Sequence, residues 1–548
     1  MVRSTLSQQK ICLSILSLAL VFFAAGARAE KDFAGIISSA TPEATAAGIE
    51  ILEKGGNAID AAVAVSLALG ATEPAASGLF GQTVMLVRLN PGEEPFVIQG
   101  TTYSPGKIPA EVDRSQLTGG HTASTVPSTL RVLDFAKRKF GSKAVSWADT
   151  LAPAIRYASE GFVVGAFRHR SFRNSTASLA KQDAARELFV RSDGIPYQVG
   201  DVVRNAKLAA TLRRIASDGA MDFYRGTIAA EIAADMAEHA GWITADDLRQ
   251  LPEPAIVPAI HSDYRGYDIY TLPPPFGGWI VLQILNVLET SPGSVLGADD
   301  DKRRLALLDA MHIGHSTRRY DPVPGFHNYA KDIATKISKK EAIELLGNYK
   351  QERGGETTHF SIVDANGMVV SATQSIDSFF GAKVAHPTLG ILYNNYMQSF
   401  RLEDDGSPYV LATRQMPLSS MSATIVIKDG DSKLILGSPG SARIISAVVQ
   451  ITSHWIDIDA GIEAAVSAYR VHAIPDNQAY VEGESISTTL LAGLAERGFD
   501  LKRPAYGVSD SQYDPYFGGV HALAFENSAW TGAADPRRDG AVGIAYIE

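Results

Sequence analysis

Cysteine is almost missing from this chain: among 548 residues there is one, Cys12, and it lies in an N-terminal segment expected to be removed. A mature chain without thiols excludes disulfides, thiolate metal sites and a cysteine nucleophile together. Also lacking is any Lys/Arg-rich block. The formal net charge is −10, and losing residues 1–29 removes Arg3, Lys10 and Arg28 but no acid, which leaves −13. A chain this acidic, without a basic cluster, argues against nucleic acid and anionic membranes as partners. There is no internal repeat and no low-complexity tract. The apolar run from Ile11 to Ala25 is too short for a membrane span. It follows Arg3 and Lys10 and precedes Ala27-Arg28-Ala29, the pattern of an export signal cut before Glu30. Residues 1–29 are therefore expected to be a signal peptide, and the mature protein periplasmic or secreted, off the membrane once the signal is gone.

What is present points to a large mixed α/β core: 45% of residues are hydrophobic and 20% charged. An Ala-rich helical stretch from Thr41 to Gly70 is broken by Lys54-Gly55-Gly56-Asn57, a turn between two helices. Val84 to Leu89 reads as a buried strand, residues 128–250 as mainly helical, and Ile280 to Leu288 as a helix after a Pro-rich loop. Residues 291–302 and 347–356 are polar and breaker-rich and are expected to be exposed linkers, the second a processing site.

From Thr357 the pattern turns to β. Thr357 to Asp364 alternates, Ala365-Asn366-Gly367 is a hairpin turn, and Met368 to Ser375 returns. A three-residue loop pairs Asp364 with Met368 and so sets Thr357 opposite Ser375. If the chain is cut between Glu356 and Thr357, the new terminus carries a hydroxyl nucleophile and an α-amine of pKa about 8 able to act as its base. A Thr-Thr pair opening an ordinary strand is the plain alternative. A second hairpin follows, Ala423 to Lys428 and Lys433 to Leu436, with Ser419-Ser420 before it and Gly437-Ser438-Pro439-Gly440-Ser441 after it. The Ser pair and the Gly loop emerge at the same end. Backbone N–H groups of Gly440 and Ser441, ahead of an apolar helix, suit developing negative charge; a simple strand-to-helix turn is the competing account.

Together these residues resemble the γ-glutamyltransferase family of N-terminal-nucleophile hydrolases. The resemblance spans residues 35–548 and runs through Glu53-Lys54-Gly55-Gly56-Asn57, Glu73-Pro74, Phe223-Tyr224-Arg225-Gly226, Gly241-Trp242-Ile243-Thr244, Thr357-Thr358-His359-Phe360, Asn394-Asn395, Pro417-Leu418-Ser419-Ser420, Gly437-Ser438-Pro439-Gly440 and Asp535-Pro536-Arg537. It implies a four-layer αββα sandwich and a proenzyme that cuts itself at Glu356–Thr357. A large subunit, 30–356, and a small catalytic subunit, 357–548, would remain together as a heterodimer. Thr357 would attack a small-molecule amide and form an acyl-enzyme, Ser375 would supply a second hydroxyl, and the Gly440 and Ser441 amides would hold the oxyanion. No cofactor or metal is implied.

The substrate clamp departs from the family. Thr101 stands where the resemblance places the arginine that grips the substrate α-carboxylate, although its helpers Ser419 and Ser420 survive. Asp377, Tyr396 and Ser399 occupy the positions that hold the α-ammonium. A Gly-rich run is altered to Leu79-Phe80-Gly81-Gln82-Thr83, and Phe276 sits in a shortened Pro-Pro-Pro loop. An acyl group other than γ-glutamyl is therefore expected, flatter or more apolar beside Tyr396 and Phe80. The alternatives are an ordinary γ-glutamyltransferase or glutathione hydrolase, and, from another class, an exported solute-binding protein, which would stay one chain on a denaturing gel. His312 and His315 share a helix face but have no evident third ligand for zinc.

Overall fold

The computed structural model describes residues 32–324, 329–345, 356–483, 485–504 and 512–547. The expected signal segment and most of the 347–356 linker lie outside them. In chain order, the strands of the two main sheets are β1 Asp32–Ser39, β2 Gln82–Arg88, β3 Phe96–Gly100, β4 Ala255–Pro258, β5 Ile260–Tyr264, β6 Tyr267–Thr271, β7 Glu356–Asp364, β8 Val369–Asp377, β9 Thr424–Lys428, β10 Asp431–Leu436, β11 His521–Glu526, β12 Ala529–Ala534 and β13 Ala541–Ile547. The first sheet runs β13-β1-β7-β8-β2-β3-β4 and the second β12-β11-β10-β9-β6-β5.

Period-two alternation decides the layering. Ile36, Val84, Leu86, Val363 and Val369 point inward from the first sheet and meet Ile425, Ile435 and Leu523 of the second. Their chain neighbours Ile37, Met85, Val87, Ile362 and Val370 point outward, under the helices α1 Pro42–Glu53 and α2 Ala58–Thr72. On the far side, Val426, Leu434, Leu436, Ala522 and Ala524 are covered by α3 Gly278–Glu289, α4 Asp301–Tyr320 and α5 Arg443–Asp457. The result is the αββα four-layer sandwich.

Local chemistry starts and stops the helices where the residues direct. Thr41 accepts from the Ala44 N–H at the head of α1. Asn57 and Asp60 form a reciprocal capping box on α2, and Asp60 also binds Lys137 at 2.6 Å. The Lys54-Gly55-Gly56-Asn57 motif is therefore a helix junction. Residues 291–302 are more ordered than a linker: Gly293–Leu296 is a helical turn anchored by buried Leu296, and α4 begins at Asp301 behind the cap of Asp300.

The two segments flanking residue 357 are woven through both sheets. In the first sheet β1 lies between β7 and β13; in the second, β6 pairs with β9. A cut before Thr357 would leave two pieces that share both sheets.

Candidate active site

Along β7 and β8 the face turned toward the second sheet changes from apolar to polar to hydroxyl-bearing. On β7 it runs Val363, Ser361, His359, Thr357; on β8 it runs Val369, Ser371, Thr373, Ser375. The valines belong to the inter-sheet core. In the middle, Ser361 donates to the His521 carbonyl at 2.9 Å and Ser371 to the Leu436 carbonyl at 3.2 Å. His359 is fully buried, with Nδ1 2.9 Å from Thr373 Oγ1 and Nε2 3.1 Å from Ser361 Oγ. Burial holds its pKa well below the usual value, so the ring is neutral and structural. A side chain at Gly437 would come within 2.3 Å of that ring, which accounts for the glycine.

The hairpin has the expected three-residue loop: the Asp364 N–H donates to the Met368 carbonyl at 3.1 Å, and pairing runs from Val363↔Val369 to Thr358↔Gln374. It then shifts so that Asp377 faces Glu356. Ser375 and Ile376 thus oppose Thr357 alone, a β-bulge that bends the strand end and re-aims its side chains. The bend leaves Asp377 at φ +77, a strained conformation for a non-glycine residue. The Asp377 N–H donates to Ser375 Oγ at 2.7 Å, and the Tyr396 hydroxyl bonds Ser375 and Gln82.

Thr357 opens into a cavity of about 610 Å³. Ser419, Ser420 and Ser441 line it from the second sheet's side; Asp377, Tyr396 and Ser399 line the wall beyond the bulge. Gly440, one residue before Ser441, adopts φ +117, with Gly518 packed against it. The segment carrying Gly518 is fixed from behind: Arg470 donates to the Phe517 carbonyl at 2.9 Å and pairs with Asp535 at 2.5 Å, and Arg537 pairs with Asp535 at 3.0 Å. The Asp535-Pro536-Arg537 motif is therefore a buried ionic brace.

Two expected contacts fall elsewhere. Thr101 is buried behind the wall, donating to Gln82 Oε1 at 3.2 Å, and does not line the cavity. Phe80 is fully buried in the outer core, edge-on to Tyr393 at 4.7 Å, because aromatic partners are available there. It cannot shape the acyl pocket. Phe276 is likewise inter-sheet core.

Sequence reasoning missed the cavity's charge. Arg114, Arg318, Arg319 and Arg401 line it, together with Gln398, Phe400 and Tyr409, against one carboxylate among the described residues, Asp377. Burial pushes the Asp377 pKa up to about 7, opposed by hydrogen bonds from Gln398, at 2.7 Å, and Ser399. Because the folded-state pKa is raised, the stabilising form is the protonated one. Its contribution is complete below about pH 4 and disappears as pH rises through 7. Asp377→Asn should therefore flatten the loss of thermal stability between pH 4 and 8, by up to about 4 kcal/mol. Glu73, also raised to about 7 by burial, keeps the remaining slope. An unchanged slope in urea titrations across that range would refute this.

Among the described residues one group has metal-ligand spacing: His121, Asp235 and His239. The two imidazoles are stacked at 5° with centroids 4.4 Å apart, so no point lies in both ring planes, and the rings as placed do not fit one ion. His312 and His315 do not converge on an ion either. His315 Nε2 is 3.0 Å from Ser446 Oγ and His312 Nδ1 is 3.1 Å from the Ile474 carbonyl.

A threonine heading a central strand of an αββα sandwich, turned into a cavity between the sheets, defines the N-terminal-nucleophile hydrolases. The Gamma-glutamyltranspeptidase family model matches residues 44–545, and the chain belongs to that family. It is thus an enzyme of amide-bond hydrolysis or acyl transfer. It is 32% identical to a glutathione hydrolase proenzyme of Escherichia coli K12 over 92% of this chain and 90% of that one. It is 31% identical to the Acylase ACY 1 proenzyme of Pseudomonas sp. V22 over 92% of both. The cephalosporin acylase structure from Bacillus halodurans superposes with a TM-score of 0.83 at 26% identity, covering 94% of this chain and 96% of that one. No described helix is long and apolar enough to cross a membrane.

Proposed function

We propose that this protein is an exported proenzyme that cuts itself before Thr357 and then hydrolyses or transfers an acyl group other than γ-glutamyl. The observation that carries this is Thr357 at the bulge, beside Ser375 and facing Ser419, Ser420 and Ser441 across the cavity. The large and small subunits stay joined as a heterodimer because both contribute strands to both sheets. Thr357 Oγ1 adds to the amide carbonyl, its own α-amine takes the proton, and the Gly440 and Ser441 N–H groups receive the oxyanion. The amine leaves, and water or a second amine releases the acyl group.

Against a γ-glutamyl substrate stand two features. No arginine occupies position 101, and among the described residues lining the cavity the one carboxylate, Asp377, is pushed by burial toward its neutral form. Ser375→Ala removes the hydroxyl linking Tyr396 and the Asp377 N–H. It should slow turnover by about tenfold, the worth of one neutral hydrogen bond near the nucleophile.

The test is turnover by the purified protein of anilides that differ only in the acyl half. Glutathione and a γ-glutamyl anilide turned over as fast as the best of the panel would favour the ordinary glutathione hydrolase instead, a reading supported by the relative in Escherichia coli.

A further inference from the structure

We propose a second binding site, outside the Thr357 cavity, for one halide-sized anion held between His454 and Arg470 where α4 meets α5. A cavity of about 10 Å³ lies there, lined among others by Asp299, Arg303, Arg304, His454 and Arg470. His454 comes from the last turn of α5, and Arg303 and Arg304 from the first turn of α4. Arg303, Arg470 and His454 are 1%, 2% and 8% exposed. Two of these buried side chains carry N–H groups with no acceptor among the described residues. Arg470 Nε makes no hydrogen bond to them, nor does either ring nitrogen of His454. Whichever tautomer the imidazole takes, one of its nitrogens bears a hydrogen. Asp299 Oδ2 stands 4.0 Å from His454 Nε2, beyond hydrogen-bond reach.

Buried donors are almost always satisfied, so the cavity calls for a species that accepts hydrogen bonds. Its volume of about 10 Å³ suits one water-sized sphere and excludes sulfate, phosphate and carboxylates. Water is the competing occupant, and charge favours the anion. Three guanidinium groups line the cavity against one carboxylate among the described residues, and that carboxylate, Asp299, is 41% exposed to solvent. Arg303 and Arg304 also stand at the N-terminus of a 20-residue helix, where the backbone dipole adds positive potential. Asp457, 3.9 Å from Arg303, and Asp535, 2.5 Å from Arg470, offset part of this, so binding in the millimolar range is expected. Arg303 is pinned by the Leu296 carbonyl at 2.6 Å and Ser453 Oγ at 2.9 Å. Arg304 is held more loosely, by Asp301 at 3.4 Å and Asp299 at 3.9 Å, and can yield the small difference in radius between water and chloride. The terminal nitrogens of Arg470 serve the brace behind Gly518, through the Phe517 carbonyl and Asp535. An anion on its Nε would complete that brace.

Thermal unfolding of the purified protein in chloride, bromide and gluconate at equal ionic strength tests the site in solution. Both halides should raise Tm saturably above gluconate, by about 2 °C at roughly ten times Kd. His454→Phe keeps a ring there without its nitrogens and should abolish the difference. Crystals grown in bromide should show an anomalous peak within hydrogen-bond distance of Arg470 Nε, and this measurement decides the matter if His454→Phe does not fold. Equal Tm values in halide and gluconate would overturn the proposal, as would a halide shift that survives in His454→Phe. So would a water without bromide signal at the site, or a peak with no shift in solution, which is binding at crystal concentration only. None of these readouts involves amide turnover, so their outcome is separate from that of the acyl preference and of self-cleavage.

Discussion

Thr357→Ala is expected to yield one uncut polypeptide and to lower amide turnover by roughly 10⁴-fold or more, the scale of losing a covalent nucleophile. One oxygen is asked to do two jobs. On the proposed mechanism, Thr357 Oγ1 of the precursor would add to the Glu356 carbonyl, the Glu356–Thr357 C–N bond breaking as an ester forms that water then opens to free the α-amine. In the mature enzyme the same oxygen would add to substrate. Alanine deletes both steps. Thr357→Ser keeps the oxygen and should still be cut, with slower turnover because the methyl that restricts χ1 is lost. Terminal sequencing of the small subunit is the direct measurement, and it should begin Thr-Thr-His-Phe. Two fragments from Thr357→Ala would place the scissile bond elsewhere.

The sequence carries most of the proposed catalytic half of this site because that half is local. Thr357 and Ser375 belong to one hairpin whose loop length sets their register, and strand alternation then puts both on the inter-sheet face. Ser419, Ser420 and Ser441 bracket a second hairpin, so their convergence at one end is also a short-range consequence. The bulge was not legible. It appears only as a break in pairing after Gln374, and it is what gives Asp377 its positive φ and brings its N–H to Ser375.

The binding half was harder to read because it is assembled across the fold. Thr101 sits one layer behind the cavity wall, with Gln82 between it and Tyr396. Phe80 looked like a pocket residue only because it lies in an altered Gly-rich run; Tyr393 and Phe223 draw it into the outer core. Arg318 and Arg319 close an ordinary amphipathic helix, and no spacing rule links residue 318 to residue 357. Their meeting depends on where α4 ends against the 396–409 segment, a tertiary matter on which periodicity is silent.

The proposed oxyanion loop supplies the second large effect. Gly440 sits at φ +117, where a Cβ is strained, and that atom would come 3.2 Å from Gly518 Cα. Gly518 cannot give way easily, because Arg470 holds the Phe517 carbonyl and Ser438 Oγ accepts from the Gly519 N–H at 3.2 Å. Gly440→Ala should therefore turn the peptide rather than move the neighbour, and so swing the N–H groups away from the developing charge. Misplacing one such donor costs about 3 kcal/mol of transition-state stabilisation, or 10²–10³ in kcat. Ser441→Ala is the companion variant. It retains the backbone N–H and removes only the hydroxyl, so its kcat should stay within about tenfold of the parent. Because donors aimed at an oxyanion bind the ground-state carbonyl weakly, the Gly440→Ala loss should appear in kcat with little change in KM. A loss confined to KM, or an equal loss in Ser441→Ala, would mean that this loop binds the substrate through the Ser441 side chain and that the oxyanion is stabilised elsewhere.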